Sequence, residues 1–377
     1  MFLLKRRELA SLIEQFLELE AALKRVELGV FPRYTQRKAV ESLISLVRNL
    51  TSSLEYLSSS DSAMFLIEKG YGVLQAIYGL IEKIERSNVH YTPLGAVYLA
   101  EYLAEKVGRR VIPIICFQSS TSSHTRLSDL LRLVAPLLPP GSQELKEEVI
   151  FITLPYFLKN DPLFHCLIAH ELALHMMESM GSLEGILTKV ASKQLLVLAA
   201  DRLATLMIGP SYLFTLLNLN MPSSVEEERI RSIASLLLDE GYYEEKLLDG
   251  LLPPLAKAHP LADLDQICEV EGYLRKTNAY YSHETFEREV PQLVSRLLEL
   301  LPPNEVNLHD TGTRPAEIPS IINAGWIVRL QSMPAIYEIL KAQKPEEKYQ
   351  ARKKFNALIE KAIELSVIHK SLLEAEV

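Results

Sequence analysis

Residues 169–178 read AHELALHMME, and His170, Glu171 and His175 within them are the side chains whose types and spacing point to chemistry. Neutral imidazoles and carboxylates are zinc ligands, and a hydrolytic zinc site uses three protein ligands plus a water. A glutamate directly after the first histidine would face the open side of such a metal and act as general base on the bound water. The spacing sets a condition. Histidines four apart on a helix lie about 40° apart around its axis and can share one ion, whereas five apart they lie about 140° apart. A one-residue π-bulge over 170–175 would restore a shared face, and such bulges are frequent at functional sites. An unbroken helix instead places Glu171, His175 and Glu178 on one face at i, i+4 and i+7. That face would need ligands from a second helix, and no clear Glu-x-x-His occurs to supply them. On the remaining reading His170 packs in the core, His175 and Glu171 face solvent, and no metal binds.

The elements that must position these residues follow from the flanking sequence. Asp161 is an N-cap type, Pro162 suits the first helical position and Gly181 suits the end, so a helix is predicted over about 162–180. EEVIFITLP (147–155) precedes it as a β-rich run, and Val111–Phe117 forms a second strand candidate, with a polar loop over 118–129 between. After it, an apolar helix over about 189–208 carries Asp201 and stops at Gly209-Pro210.

His170-Glu171-Leu172-Ala173-Leu174-His175 resembles the HExxxH form of the zincin signature, characteristic of the dipeptidyl peptidase III family, where both histidines bind zinc. LAADRLATLMIGPSY (198–212) is similar to the E-x-x-A-D-x-x-A…G-P helix of intracellular bacterial and archaeal gluzincins. The resemblance covers about residues 110–215. It implies a zincin-like core, a zinc cofactor held by His170 and His175, a peptide or protein substrate, and Glu171 as general base. The family's glutamate ligand falls on Val197, and its aspartate, which supports a histidine, falls on Asp201. Asp201 therefore either completes the metal set with His170 and His175 or supports one of them. Glu178 and Glu184 are the other sources of a third ligand. Val197 and the displaced histidine also fit a second outcome, a zincin-derived binding or scaffold protein with an inactive site, acting through helical surfaces.

The frame is a chain of 377 residues with a formal net charge of −8, long enough for two or three domains. An acidic balance excludes general nucleic-acid binding, which needs a basic surface. Three scattered cysteines without CxxC fit a reducing cytoplasm. MFLLKRRELASL lacks the apolar core of a secretory signal, and no run of 18 apolar residues provides a membrane span. The expected fold class is mainly α with a small β-sheet, a zincin-like core flanked by helical bundles. Apolar stripes such as Leu9, Leu12, Phe16 and Leu19 predict an N-terminal helical bundle over 1–90, a docking surface for a protein partner. The core is expected over 91–275 and a C-terminal helical region over 276–377. Tyr212, Tyr242 and Tyr243 are candidate hydrogen-bond donors to an oxyanion, although packing accounts for each of them as well. His259-Pro260 opens a helix, His283-Glu284 reads as a helix start capped by Ser282, and Cys166 lacks the partners of a nucleophile. Trp326, in an apolar helical stretch, packs on the core or forms a docking surface.

Overall fold

A computed structural model describes residues 2–57, 63–107, 111–118, 121–138, 148–179, 193–219, 224–253, 271–272, 274–308 and 312–375. Along the chain run helices α1 (Phe2–Glu27), α2 (Tyr34–Leu57), α3 (Ala63–Glu85) and α4 (Leu94–Lys106), then strands β1 (Val111–Gln118) and β2 (Ser123–Arg126). Helix α5 (Leu127–Val134), strand β3 (Glu148–Pro155) and helix α6 (Leu167–Ser179) follow, with a 3₁₀ turn over Pro162–Cys166 leading into α6. Next come α7 (Lys193–Ile208), α8 (Ser211–Asn218), α9 (Ser224–Asp239) and α10 (His283–Leu298). A hairpin of β4 (Glu305–Leu308) and β5 (Gly312–Pro315) precedes α11 (Ile318–Ile327), α12 (Met333–Ile339) and α13 (Pro345–Ala375). The chain is thus mainly α-helical with small sheets, as its composition and periodicity imply. Among the described residues no helix is long and apolar enough to cross a membrane.

The described structure divides into two compact units, Met1–Pro93 with Arg110–Tyr156, and Leu94–Arg109 with Phe157–Val377. In the first unit Leu12, Phe16, Leu19 and Leu23 of α1 meet Leu43, Val47, Leu50 and Leu54 of α2, and Val73 and Ile77 of α3. The same apolar cluster takes in Ile112 and Ile114 of β1, and Val149 and Phe151 of β3. Alternate residues along each strand share one face, so the sheet is bound to the N-terminal helices by its own pleat. Each such side chain removed from water contributes about 1.5–3 kcal/mol.

β3 lies between β1, which it pairs in parallel with Ile114 opposite Phe151, and β2, which it pairs antiparallel with Thr125 opposite Phe151. The polar stretch expected to be loop is therefore partly a strand. Ser123–Arg126 has no apolar alternation, and its place is set by the backbone groups of β3 and by Lys83, whose Nζ donates to Thr125 Oγ1 at 2.7 Å.

In the second unit α4 packs on α6 and α13. Its first turn has free amides, and Glu360 of α13 supplies an acceptor: Gly95 N–H donates to Glu360 Oε1 at 2.6 Å. Burial pushes the Glu360 carboxyl up to about 7, and neighbouring Glu364 adds to the rise, while the Gly95 bond opposes it. A raised folded-state value means that this group's contribution is complete below the ordinary carboxylate range and is lost as pH climbs to 7. Glu360→Gln, which keeps an acceptor, should flatten the stability–pH curve between pH 5 and 8. The wild type should lose on the order of 2–3 kcal/mol over that interval relative to the variant, measured by urea denaturation. An identical slope in both proteins would refute this assignment.

Candidate functional site

The histidine helix differs from its expected form at its start. Residues 162–166 make a 3₁₀ turn, and α6 proper begins at Leu167. Asp161 precedes the turn but makes no side-chain cap; its carboxylate instead receives Arg329 at 2.7 and 2.9 Å. A bidentate pair with a guanidinium outcompetes a single amide bond. Gly181, the expected stop, lies outside the described residues, as do 189–192 at the start of the expected Asp201 helix.

α6 is a regular α-helix from Leu167 to Ser179. The π-turn that occurs among the described residues is at Val328–Ser332, remote in sequence from the histidines. At 3.6 residues per turn His170 and His175 therefore lie about 140° apart around the axis. His170, Glu171 and His175 are 8%, 3% and 2% exposed. Glu171 and His175 are thus buried, where the reading without a metal turned them to solvent.

Asp201, on α7, is completely buried and carries the organisation of the site. Oδ1 accepts from Tyr212 Oη at 2.5 Å and from Arg229 Nη2 at 2.8 Å, and lies 2.9 Å from His170 Nδ1. Oδ2 accepts from Arg229 Nε at 2.6 Å. Tyr212 Oη, its proton given to Asp201, stands 3.0 Å from the same His170 Nδ1. This network assigns a proton to Nδ1, shared between the two oxygens. The His170 and Tyr212 rings are near parallel, at 7°. Three side chains thus make four contacts with one carboxylate, three of them at Oδ1 and one at Oδ2. Burial alone would raise the Asp201 carboxyl, but Arg229 and His170 outweigh it and hold it below the usual carboxylate range.

Tyr212 is delivered by the Gly209-Pro210 turn between α7 and α8. Gly209 has φ +71°, and a Cβ there would stand 3.0 Å from the Tyr281 ring and 3.2 Å from Asn323 Nδ2, so glycine is required twice over. Asn323 of α11 splints the turn: its Oδ1 accepts from Ser211 N at 2.9 Å and its Nδ2 donates to Ile208 O at 2.8 Å. Arg229 comes from α9. Arg202, next to Asp201, points into a different buried pair with Glu271 and also donates to Ser232 O at 2.9 Å.

The chain matches no family model, no curated protein and no solved structure.

Zinc, implied by the resemblance, requires ligand atoms that converge on one point. The structure brings His170 and Asp201 together and directs His175 elsewhere around α6. His170, His175 and Asp201 do not form a group whose ligand atoms lie within 4.8 Å of one another; among the described residues the group that does is Glu245, His283 and Glu287. The Asp201 oxygen nearest His170, Oδ1, is already engaged by Tyr212, Arg229 and His170. As placed, these residues do not fit a three-ligand zinc centre, and Asp201 meets His170 at Nδ1. Of the alternatives for a third ligand, Glu184 and the side chain of Glu178 lie outside the described residues, as does His259-Pro260.

The other candidates separate cleanly. Tyr212 belongs to the Asp201 network, whereas Tyr243 donates to Pro253 O at 2.9 Å and Tyr242 packs edge-on against Phe286. Burial pushes the Cys166 thiol up to about 12 and leaves it protonated and inert. Burial likewise lowers His165 to about 4. Arg229 escaped the sequence reading because nothing local marks one arginine on an exposed-patterned helix as the partner of a carboxylate 28 residues earlier.

Proposed function

We propose that this chain is a zincin-like protein without hydrolytic activity, whose histidine helix serves as framework and whose helical surfaces bind a protein partner. The observation that carries this reading is the Asp201 network: a buried carboxylate engaged by Arg229, Tyr212 and His170, while the regular helix that carries His170 turns His175 away. Val197, at the place of the family's glutamate ligand, supports it from the sequence. Cys116 and Cys166, buried as free thiols, support a reducing cytoplasm as its place of work.

A zinc peptidase is the second reading. It draws on the contact between His170 Nδ1 and Asp201, the support that zinc-binding histidines have on their other nitrogen, and on the buried Glu171. One experiment separates the two. The full chain is incubated with zinc and an unfolded protein substrate, beside its Glu171→Gln variant. The binding reading expects no cleavage above the variant's background. Chelator-sensitive turnover that Glu171→Gln abolishes, with the fold intact by circular dichroism, would overturn it.

A further inference from the structure

Away from the histidine helix, a second cluster brings together three side chains of metal-ligating type, of which the sequence marked only His283, as a helix start. His283 and Glu287 are four apart on α10 and share a face. Glu245 joins them from the chain between two short 3₁₀ turns, Tyr242–Glu244 and Lys246–Leu248. One ligand atom of each lies within 4.8 Å of the other two.

The imidazole is held in place. Ser282 caps α10 by accepting from Thr285 N at 3.2 Å, which fixes the first turn on which His283 sits. The ring lies over Gly241, where a Cβ would be 3.5 Å from Nδ1, and meets the edge of the Tyr242 ring at 5.0 Å and 81°. Its Nε2 is buried and points at Glu245, 2.8 Å from Oε1, yet off the line of a hydrogen bond. An imidazole nitrogen and a carboxylate oxygen this close are held together by positive charge, from a proton on the ring or from an ion between them. Glu287 brings a second carboxyl group to the same point. No lysine or arginine among the described residues pairs with either glutamate. The cluster thus gathers two carboxyl groups and an imidazole around one point.

We propose that Glu245, His283 and Glu287 bind a divalent transition-metal ion of the zinc or cobalt type. One imidazole with two carboxylates is a donor set suited to such ions, and its two negative charges match the ion's. Ligand atoms around a tetrahedral zinc stand about 3.3 Å apart, so side-chain adjustments of roughly an ångström close the set. Glu287 is exposed, so the remaining coordination position opens to solvent for water or a further ligand. The site is independent of the histidine helix and stands whether or not the chain hydrolyses peptides.

The test is calorimetric titration of the full chain with zinc chloride. The wild type and Glu171→Gln should each bind one equivalent. Glu287→Gln, a substitution at an exposed position that leaves the fold intact, should bind roughly tenfold or more weakly, and His283→Gln should follow it. Undiminished binding in Glu287→Gln and His283→Gln would overturn the proposal. So would loss of binding in Glu171→Gln with retention in Glu287→Gln, which would move the ion to the histidine helix.

Discussion

Asp201→Asn should lower the stability of the folded chain by about 3–5 kcal/mol, because it strands the Arg229 guanidinium against a neutral amide in a buried site. The wild-type carboxylate takes both Arg229 contacts, Tyr212 and His170; an amide in its place must direct hydrogens at one or more of those donors. Arg229→Met alone should cost a similar amount by leaving the carboxylate uncompensated. The double variant should recover a large part of the loss, and a double-mutant cycle in urea would measure that coupling. Simple additivity of the two single effects would show that the pair is not a unit. The same network predicts acid sensitivity of definite sign. Asp201 is held below its ordinary value of 3.8, so its contribution is in place above pH 3.8 and disappears as pH falls through the lower, folded value. In Asp201→Asn that acid limb should be shallower.

Trp326→Ala should be the most damaging apolar truncation, at about 3–5 kcal/mol. The indole is completely buried, meets Phe164 edge-on at 5.3 Å and Phe214 at 6.4 Å, and lies under the Arg329 guanidinium. Its Nε1 donates to Leu163 O at 3.2 Å, so it also ties down the 3₁₀ turn that launches α6. The midpoint of thermal unfolding should fall by roughly 6–20 °C. Trp326→Phe, which keeps an aromatic ring but no donor, should give a smaller fall. Equal falls for the two variants would mean that the volume of the indole contributes nothing beyond its hydrogen bond.

What could be read in the sequence was whatever a local period or a local terminator records. β1 and β3 announce themselves as β-branched and aromatic runs, and the stripe from Leu9 to Leu23 declares α1. Gly209-Pro210 marks the end of α7, and Ser282 the start of α10. What escaped depends on partners far along the chain. β2 and the β4–β5 hairpin are polar and owe their form to backbone pairing, which side-chain pattern does not encode. Asp161 looks like a cap and is drawn off by Arg329, 168 residues later. The histidine motif set out its own geometric condition, but whether a helix bulges is decided by its surroundings. The Glu245 cluster left one local trace, histidine and glutamate four apart in HETFE, and its third member is 38 positions before the histidine.

The bond from Gly95 to Glu360 spans 265 residues. On a ribosome adding 5–20 residues each second, α4 leaves the exit tunnel about 13–53 s before the helix that closes its first turn has been made. The second unit therefore assembles around a segment synthesised early and held open. In this interval the buried face of α4, including Leu99 and Leu103, is a natural client surface for chaperones, and a pause in translation before residue 345 would lengthen its exposure.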